Sequence, residues 1–124
     1  WDQVDLERNQ IQFNPQGRLQ TIKKRPALSI SPRLRPVLEM AKAEAINSYV
    51  LDRPTNLYEQ VKSLGQSLNI DDLHPHVFRH TWATRAITRG VPIEKVAKFM
   101  GDTVETVRKN YEHLAPDYLD DVHE

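Results

Sequence analysis

The chain of 124 residues has no cysteine. That absence excludes a disulfide framework and a cysteine metal site, and it is compatible with a reducing cytosolic setting. Long apolar runs are also missing: none approaches the roughly 20 residues that a helix needs to cross a bilayer. The N-terminus lacks the pattern of a secretory signal. There is no net charge, 17 Lys/Arg balancing 17 Asp/Glu, and neither an internal repeat nor a low-complexity segment is visible. A starting methionine is absent as well, since the chain opens on Trp1, and the expectation is that it is a piece of a longer protein. What remains is ordinary for a soluble globular domain: 39% hydrophobic and 27% charged residues, in a length that can bury a core.

The zero net charge hides a segregated distribution. Residues 1–36 hold seven Lys/Arg against three Asp/Glu, and residues 73–111 again hold seven against three. Residues 37–72 and 112–124 carry the compensating acids. Local potential, not total charge, is what a phosphate meets, so two basic segments on a neutral chain are compatible with nucleic acid.

Val4, Leu6, Ile11 and Phe13 alternate in two short runs around Glu7–Gln10, a hairpin signal. Asn14–Gly17 has turn chemistry, and the runs Leu19–Ile22 and Ala27–Ile30 flank the basic stretch Lys23-Lys24-Arg25-Pro26. The pattern predicts a small antiparallel sheet of about three strands over residues 1–30. Ser31 followed by Pro32 reads as a helix start, with apolar spacing up to about Tyr49. Thr55 or Asn56 can cap a second helix carrying Leu57, Val61, Leu64 and Leu68. Pro75 opens a central helix that stops at Gly90, with Val77, Phe78, Trp82, Ala83, Ala86 and Ile87 burying it on several sides. A short helix from Pro92 ends at Gly101. Asp102-Thr103-Val104-Glu105 reads as a capping box for a further helix, and a last segment runs from Pro116 through Tyr118, Leu119 and Val122. The expected class is α+β and mostly helical: a three-stranded N-terminal sheet, then about five helices over residues 31–124.

Chemistry concentrates between His76 and Tyr111. His76 and Arg79 are three apart on a helix, so they share a face and can present an imidazole and a guanidinium to one phosphate. Tyr111 carries a phenol able to act as a nucleophile. An unperturbed phenol has a pKa of about 10, so nearby cations must favour its ionised form. Together the three suggest phosphoryl transfer. His80 reads as a core histidine bonded to backbone, and Phe78 and Trp82 read as core. No carboxylate or cysteine completes a metal site with the histidines, and no metal is expected.

In this order and spacing, His76-x-x-Arg79-His80-Thr81, Gly90-Val91-Pro92-Ile93 with Met100-Gly101, and Arg108-Lys109-Asn110-Tyr111-Glu112-His113 resemble the catalytic domain of the tyrosine recombinase (phage integrase) family. Trp1-x-x-Val4-Asp5-Leu6 resembles its first strand, so the likeness extends over the whole chain. The resemblance implies a site-specific DNA recombinase or integrase in which Tyr111 attacks a phosphodiester, forming a 3′-phosphotyrosine link and freeing a 5′-hydroxyl without any cofactor. Arg79 would stabilise the phosphate, His76 would hydrogen-bond the same phosphate or assist proton transfer from the phenol, and Lys23 or Lys24 would protonate the leaving oxygen. Lys23, Lys24, Arg25, Arg108 and Lys109 would contact DNA. The implied partners are double-stranded attachment sites and further protomers, as a tetramer in synapsis, in a bacterial cytoplasm and away from membranes. The family also uses an earlier arginine, and this chain begins after that point, so the piece alone is expected to cleave poorly. Where the family has His or Trp, this chain has Asp102, which cannot donate to a phosphate at neutral pH and is expected to serve only as a helix cap. The alternative is a degenerate recombinase-like module that binds DNA without cutting it; a third reading, a histidine-based metal hydrolase, would require bound zinc.

Overall fold

The computed structural model describes residues 1–19, 24–51 and 56–116. Its elements are β1 (Val4–Asp5), β2 (Gln10–Gln12), β3 (Ala27–Ser29), α1 (Arg35–Ala43), α2 (Leu57–Ser67), α3 (Pro75–Thr88), α4 (Ile93–Met100), α5 (Val104–Tyr111) and a 3-10 turn over Glu112–Leu114. The expected mostly helical α+β class, a three-stranded antiparallel sheet followed by five helices, is what the chain forms. Two compact units divide it, Trp1–Thr55 and Asn56–Glu124.

In the first unit the sheet order is β1-β2-β3, antiparallel throughout. Val4 faces Ile11, and Ile11 faces Leu28, so the apolar residues of all three strands share one side. Asn9 ties the sheet to α1. Its backbone carbonyl accepts from Ile30 N at 2.9 Å, its Nδ2 donates to Ile30 O at 3.0 Å, and its Oδ1 accepts from Arg35 Nη1 at 3.0 Å. The Leu19–Ile22 run is not a strand where it can be followed. Ala27–Ser29 takes the free edge of β2, Leu19 is exposed outside any strand, and residues 20–22 lie outside the described set.

The start of α1 also differs from expectation. Ser31 Oγ accepts from Leu34 N at 3.2 Å and closes a turn, and the helix proper begins at Arg35 with Pro36 in its first turn. It ends at Ala43 instead of Tyr49. Asn47 Oδ1 accepts from Tyr49 N at 2.9 Å, a local bond that competes with helical pairing.

The second unit is built on α3, α4 and α5. Ala83, Ala86 and Ile87 of α3, Val96 and Ala97 of α4, and Val107 and Tyr111 of α5 form one buried cluster. Its three alanines let the helices approach closely. Trp82 stacks on Phe99 at the border, ring centroids 4.1 Å apart. Phe78 is not core: it is 54% exposed, because it lies five residues before Ala83, about 140° round the helix. α3 therefore buries a single stripe.

Two glycines end helices in the same way. At Gly90 (φ +80°), Gly90 N donates to Ile87 O and Val91 N to Ala86 O, at 2.8 and 3.0 Å. At Gly101 (φ +66°), Gly101 N donates to Lys98 O and Asp102 N to Ala97 O, at 3.2 and 2.9 Å. Both are Schellman closures, which need a left-handed residue after the last turn. The second one has a consequence for α5. With Asp102 bound into the closure, the cap shifts by one residue to Thr103, whose Oγ1 accepts from Thr106 N at 3.1 Å. The Asp102/Glu105 capping box is not formed. Asn56 sits at the start of α2 with a left-handed backbone and makes no side-chain cap. The segment after Pro116 with Tyr118, Leu119 and Val122, like Thr55, lies outside the described residues.

Candidate active site

Tyr111 closes α5. Its ring belongs to the core, 6% exposed, and its hydroxyl is hydrogen-bonded to His80 Nδ1 on α3. The neighbouring Arg79 turns towards the end of α4. Its Nη1 donates to Met100 O at 2.9 Å and its Nη2 to Asp102 Oδ2 at 3.3 Å. Met100 O is a terminal carbonyl at the negative end of the α4 dipole, a natural seat for a cation. A guanidinium has five N–H donors, so three remain uncommitted among the described residues. Asp102 is held from two sides, since its Oδ1 also accepts from Thr103 N at 2.9 Å. The acid is thus the partner of Arg79, not the cap of α5.

A row of rings leads away from the phenol. Tyr111 and His80 have centroids 6.0 Å apart, His80 and His76 6.4 Å, and His76 and His74 6.2 Å. His74 in turn stacks on Tyr58 of α2 at 6.1 Å. His76 is exposed and makes no hydrogen bond among the described residues. Arg79 engages the Met100–Asp102 turn, and His76 lies between two other imidazoles. His80 is exposed and bonded to Tyr111, not a buried histidine bonded to backbone. Its i,i+4 spacing from His76 was the one signal in the sequence that could have brought it into the site.

Burial pushes the Tyr111 phenol above its ordinary value, the Arg79 guanidinium pulls against that rise, and the Asp102 carboxylate adds to it. The neutral phenol is the favoured form, so ionising it needs help.

Lys109 is exposed on α5, while Arg108 already faces Glu112 at 3.1 Å and Glu94 at 3.9 Å. Lys24 is exposed and Arg25 half-buried in the first unit, and Lys23 lies outside the described residues. Among the described residues no three His, Asp or Glu side chains gather as metal ligands, and no helix is long and apolar enough to cross a membrane.

A model of the phage integrase family matches residues 1–117. The chain belongs to the phage integrase family. Over 122 residues this phage integrase chain is 25% identical to the tyrosine recombinase XerC of Treponema denticola, covering 98% of the chain and 34% of that protein. It is 38% identical over 63 residues to the tyrosine recombinase XerA of Saccharolobus solfataricus, covering 51% of the chain and 21% of the relative. The integrase of Salmonella phage P22 is 43% identical over 51 residues, which is 40% of the chain and 13% of that protein. The chain thus spans about a third or less of these relatives. In fold it matches the crystal structure of XerA recombinase with a TM-score of 0.71 at 21% identity, over 98% of the chain and 47% of that structure.

Proposed function

We propose that residues 1–124 are the C-terminal part of the catalytic domain of a site-specific DNA recombinase, and that Tyr111 is its nucleophile. One observation carries the reading above all: in a chain of this family, the Tyr111 hydroxyl lies beside an imidazole and in the field of a guanidinium that has donors to spare. Tyr111 Oη attacks the phosphorus of a double-stranded attachment site and forms a 3′-phosphotyrosine link. Arg79 offers its free N–H groups to the non-bridging oxygens, where charge builds in the transition state. His76, with no other hydrogen bond among the described residues, donates to the same phosphate. Lys23 or Lys24 protonates the leaving 5′-oxygen. Lys23, Lys24, Arg25, Arg108 and Lys109 hold the DNA backbone, and further protomers complete a tetramer in synapsis. The setting is the bacterial cytoplasm.

A second reading is favoured by Asp102. A carboxylate on Arg79 competes with phosphate and raises the Tyr111 pKa, as in a degenerate module that binds DNA without cutting it. One experiment separates the two. A random-sequence pool of nicked duplexes, in which cleavage releases a short strand and traps the adduct, is incubated with the full-length protein carrying this chain. The denaturation-resistant adducts are recovered and sequenced. Adducts from the wild type that vanish with Tyr111→Phe are the expected result. Adducts that persist in Tyr111→Phe would remove Tyr111 from its role. Salt-sensitive DNA binding with no adduct would favour the second reading.

A further inference from the structure

We propose that His80 is the catalytic residue that takes the phenol proton from Tyr111. The inference rests on Tyr111 being the nucleophile, and it deepens that reading by naming its base. A general base must lie within hydrogen-bond reach of the proton it removes, and His80 Nδ1 is bonded to Tyr111 Oη. His76 is one ring further away, its centroid 6.4 Å from that of His80. The other ionisable groups around His80 cannot replace it. Arg79, its neighbour on α3, offers only hydrogen-bond donors and no acceptor, and the Asp102 carboxylate in the turn before α5 is occupied by Arg79 and Thr103 N. Among the described residues His80 is the one titratable side chain hydrogen-bonded to the phenol.

The two residues also differ usefully in exposure. Tyr111 is buried, so bulk water is a poor acceptor for its proton, and burial pushes its ionisation up. His80 is exposed, so a proton accepted at Nδ1 can be exchanged with water through Nε2. Imidazole is the side chain that changes its charge near neutral pH. In the proposed step the Oη–H bond breaks and the proton passes to Nδ1. The electron pair left on Oη forms the Oη–P bond. The P–O bond to the 5′-oxygen breaks, and that oxygen keeps the pair and takes a proton from Lys23 or Lys24. On rejoining, the 5′-hydroxyl gives its proton back to that lysine and its oxygen bonds to phosphorus, the Oη–P bond breaks, and His80 returns its proton to the departing phenolate.

The arrangement requires neutral His80 to carry its hydrogen on Nε2, leaving Nδ1 free to accept. Glutamine at position 80 can accept a hydrogen bond but cannot take up a proton. In the full-length protein, with a nicked duplex captured as above, His80→Gln should slow adduct formation by about 10²–10⁴-fold. The loss should shrink as pH rises and the phenol begins to ionise unaided. A purely structural role would not move that pH profile. If His80→Gln keeps the wild-type rate and profile while Tyr111→Phe abolishes the adduct, His80 is overturned and Tyr111 stands. Adducts surviving in Tyr111→Phe remove Tyr111 as the nucleophile and His80 with it, and no adduct from the wild type overturns the cleaving-recombinase reading. Should His80→Gln fail to fold, nitrogen-15 NMR of the wild type decides: an unprotonated Nδ1 in the neutral ring supports the proposal, and a protonated Nδ1 refutes it.

Discussion

Asp102→Asn preserves the shape of the side chain and removes its charge. The Arg79–Asp102 contact is 3.3 Å long, with the side chains 37% and 32% exposed, so water screens it. Pairs of this kind contribute about 0.2–1 kcal/mol. The amide oxygen can still accept from Thr103 N, so the variant should lose no more than about 1 kcal/mol of folding stability. The reaction should respond more strongly. A phosphate seated on the free donors of Arg79 would lie roughly 7 Å from the carboxylate, where repulsion between unit charges is about 2 kcal/mol at an effective dielectric of about 20. Removing that repulsion corresponds to a rate change on the order of thirtyfold. Asp102 also raises the Tyr111 pKa, so its loss eases ionisation and acts in the same direction. Adduct formation by Asp102→Asn on a captured nicked duplex should therefore rise about ten- to hundredfold, with thermal melting run beside it. A folded variant that is no faster than the wild type would refute the electrostatic reasoning and make Asp102 a device for orienting Arg79.

Three further outcomes follow from the packing. Ile87 is 1% exposed at the centre of the helical core, and Ile87→Ala should lower stability by about 2–5 kcal/mol in urea titration; a loss below 1 kcal/mol would contradict its central place. Gly65→Ala sets a helix-propensity gain of about 1 kcal/mol against a Cβ that would stand 2.5 Å from Leu73 Cβ and 3.0 Å from Ile70 O. Overpacking costs about 1–3 kcal/mol, so the net loss should be up to about 2 kcal/mol, and a higher urea midpoint would show that the turn yields. For Tyr111, the folded pKa is raised above an unfolded value of about 10. The stability linked to it is complete below that pH and is lost as pH climbs through the folded pKa. Tyr111→Phe should flatten this part of the alkaline profile, and equal losses in both proteins would count against the burial of the phenol.

Most of the architecture was legible before any coordinates. Periodicity and glycine stops delimited α3, α4 and α5, because Gly90 and Gly101 supply the left-handed residue that ends a helix and few other residues do so readily. Turn chemistry separated the strands. Where the fold departs from expectation, a local signal lost to another partner, near or distant in sequence. Ala27–Ser29 took the edge of β2 for which the Leu19 run was a candidate. Asp102 had every local property of an N-cap, but the Schellman closure at Gly101 bound its amide and Arg79 took its carboxylate, leaving Thr103 to cap α5.

By itself the sequence determined the family, the class of fold and the order of the helices, because these depend on composition, spacing and short-range backbone preference. Only the tertiary structure decided what each of those residues touches. His80 and Tyr111 are 31 positions apart, and Arg79 and Asp102 are 23 apart; no periodicity along one helix encodes such pairs. They arise because α3, α4 and α5 bury their apolar stripes in one common core, and that packing fixes which polar groups emerge side by side at its edge.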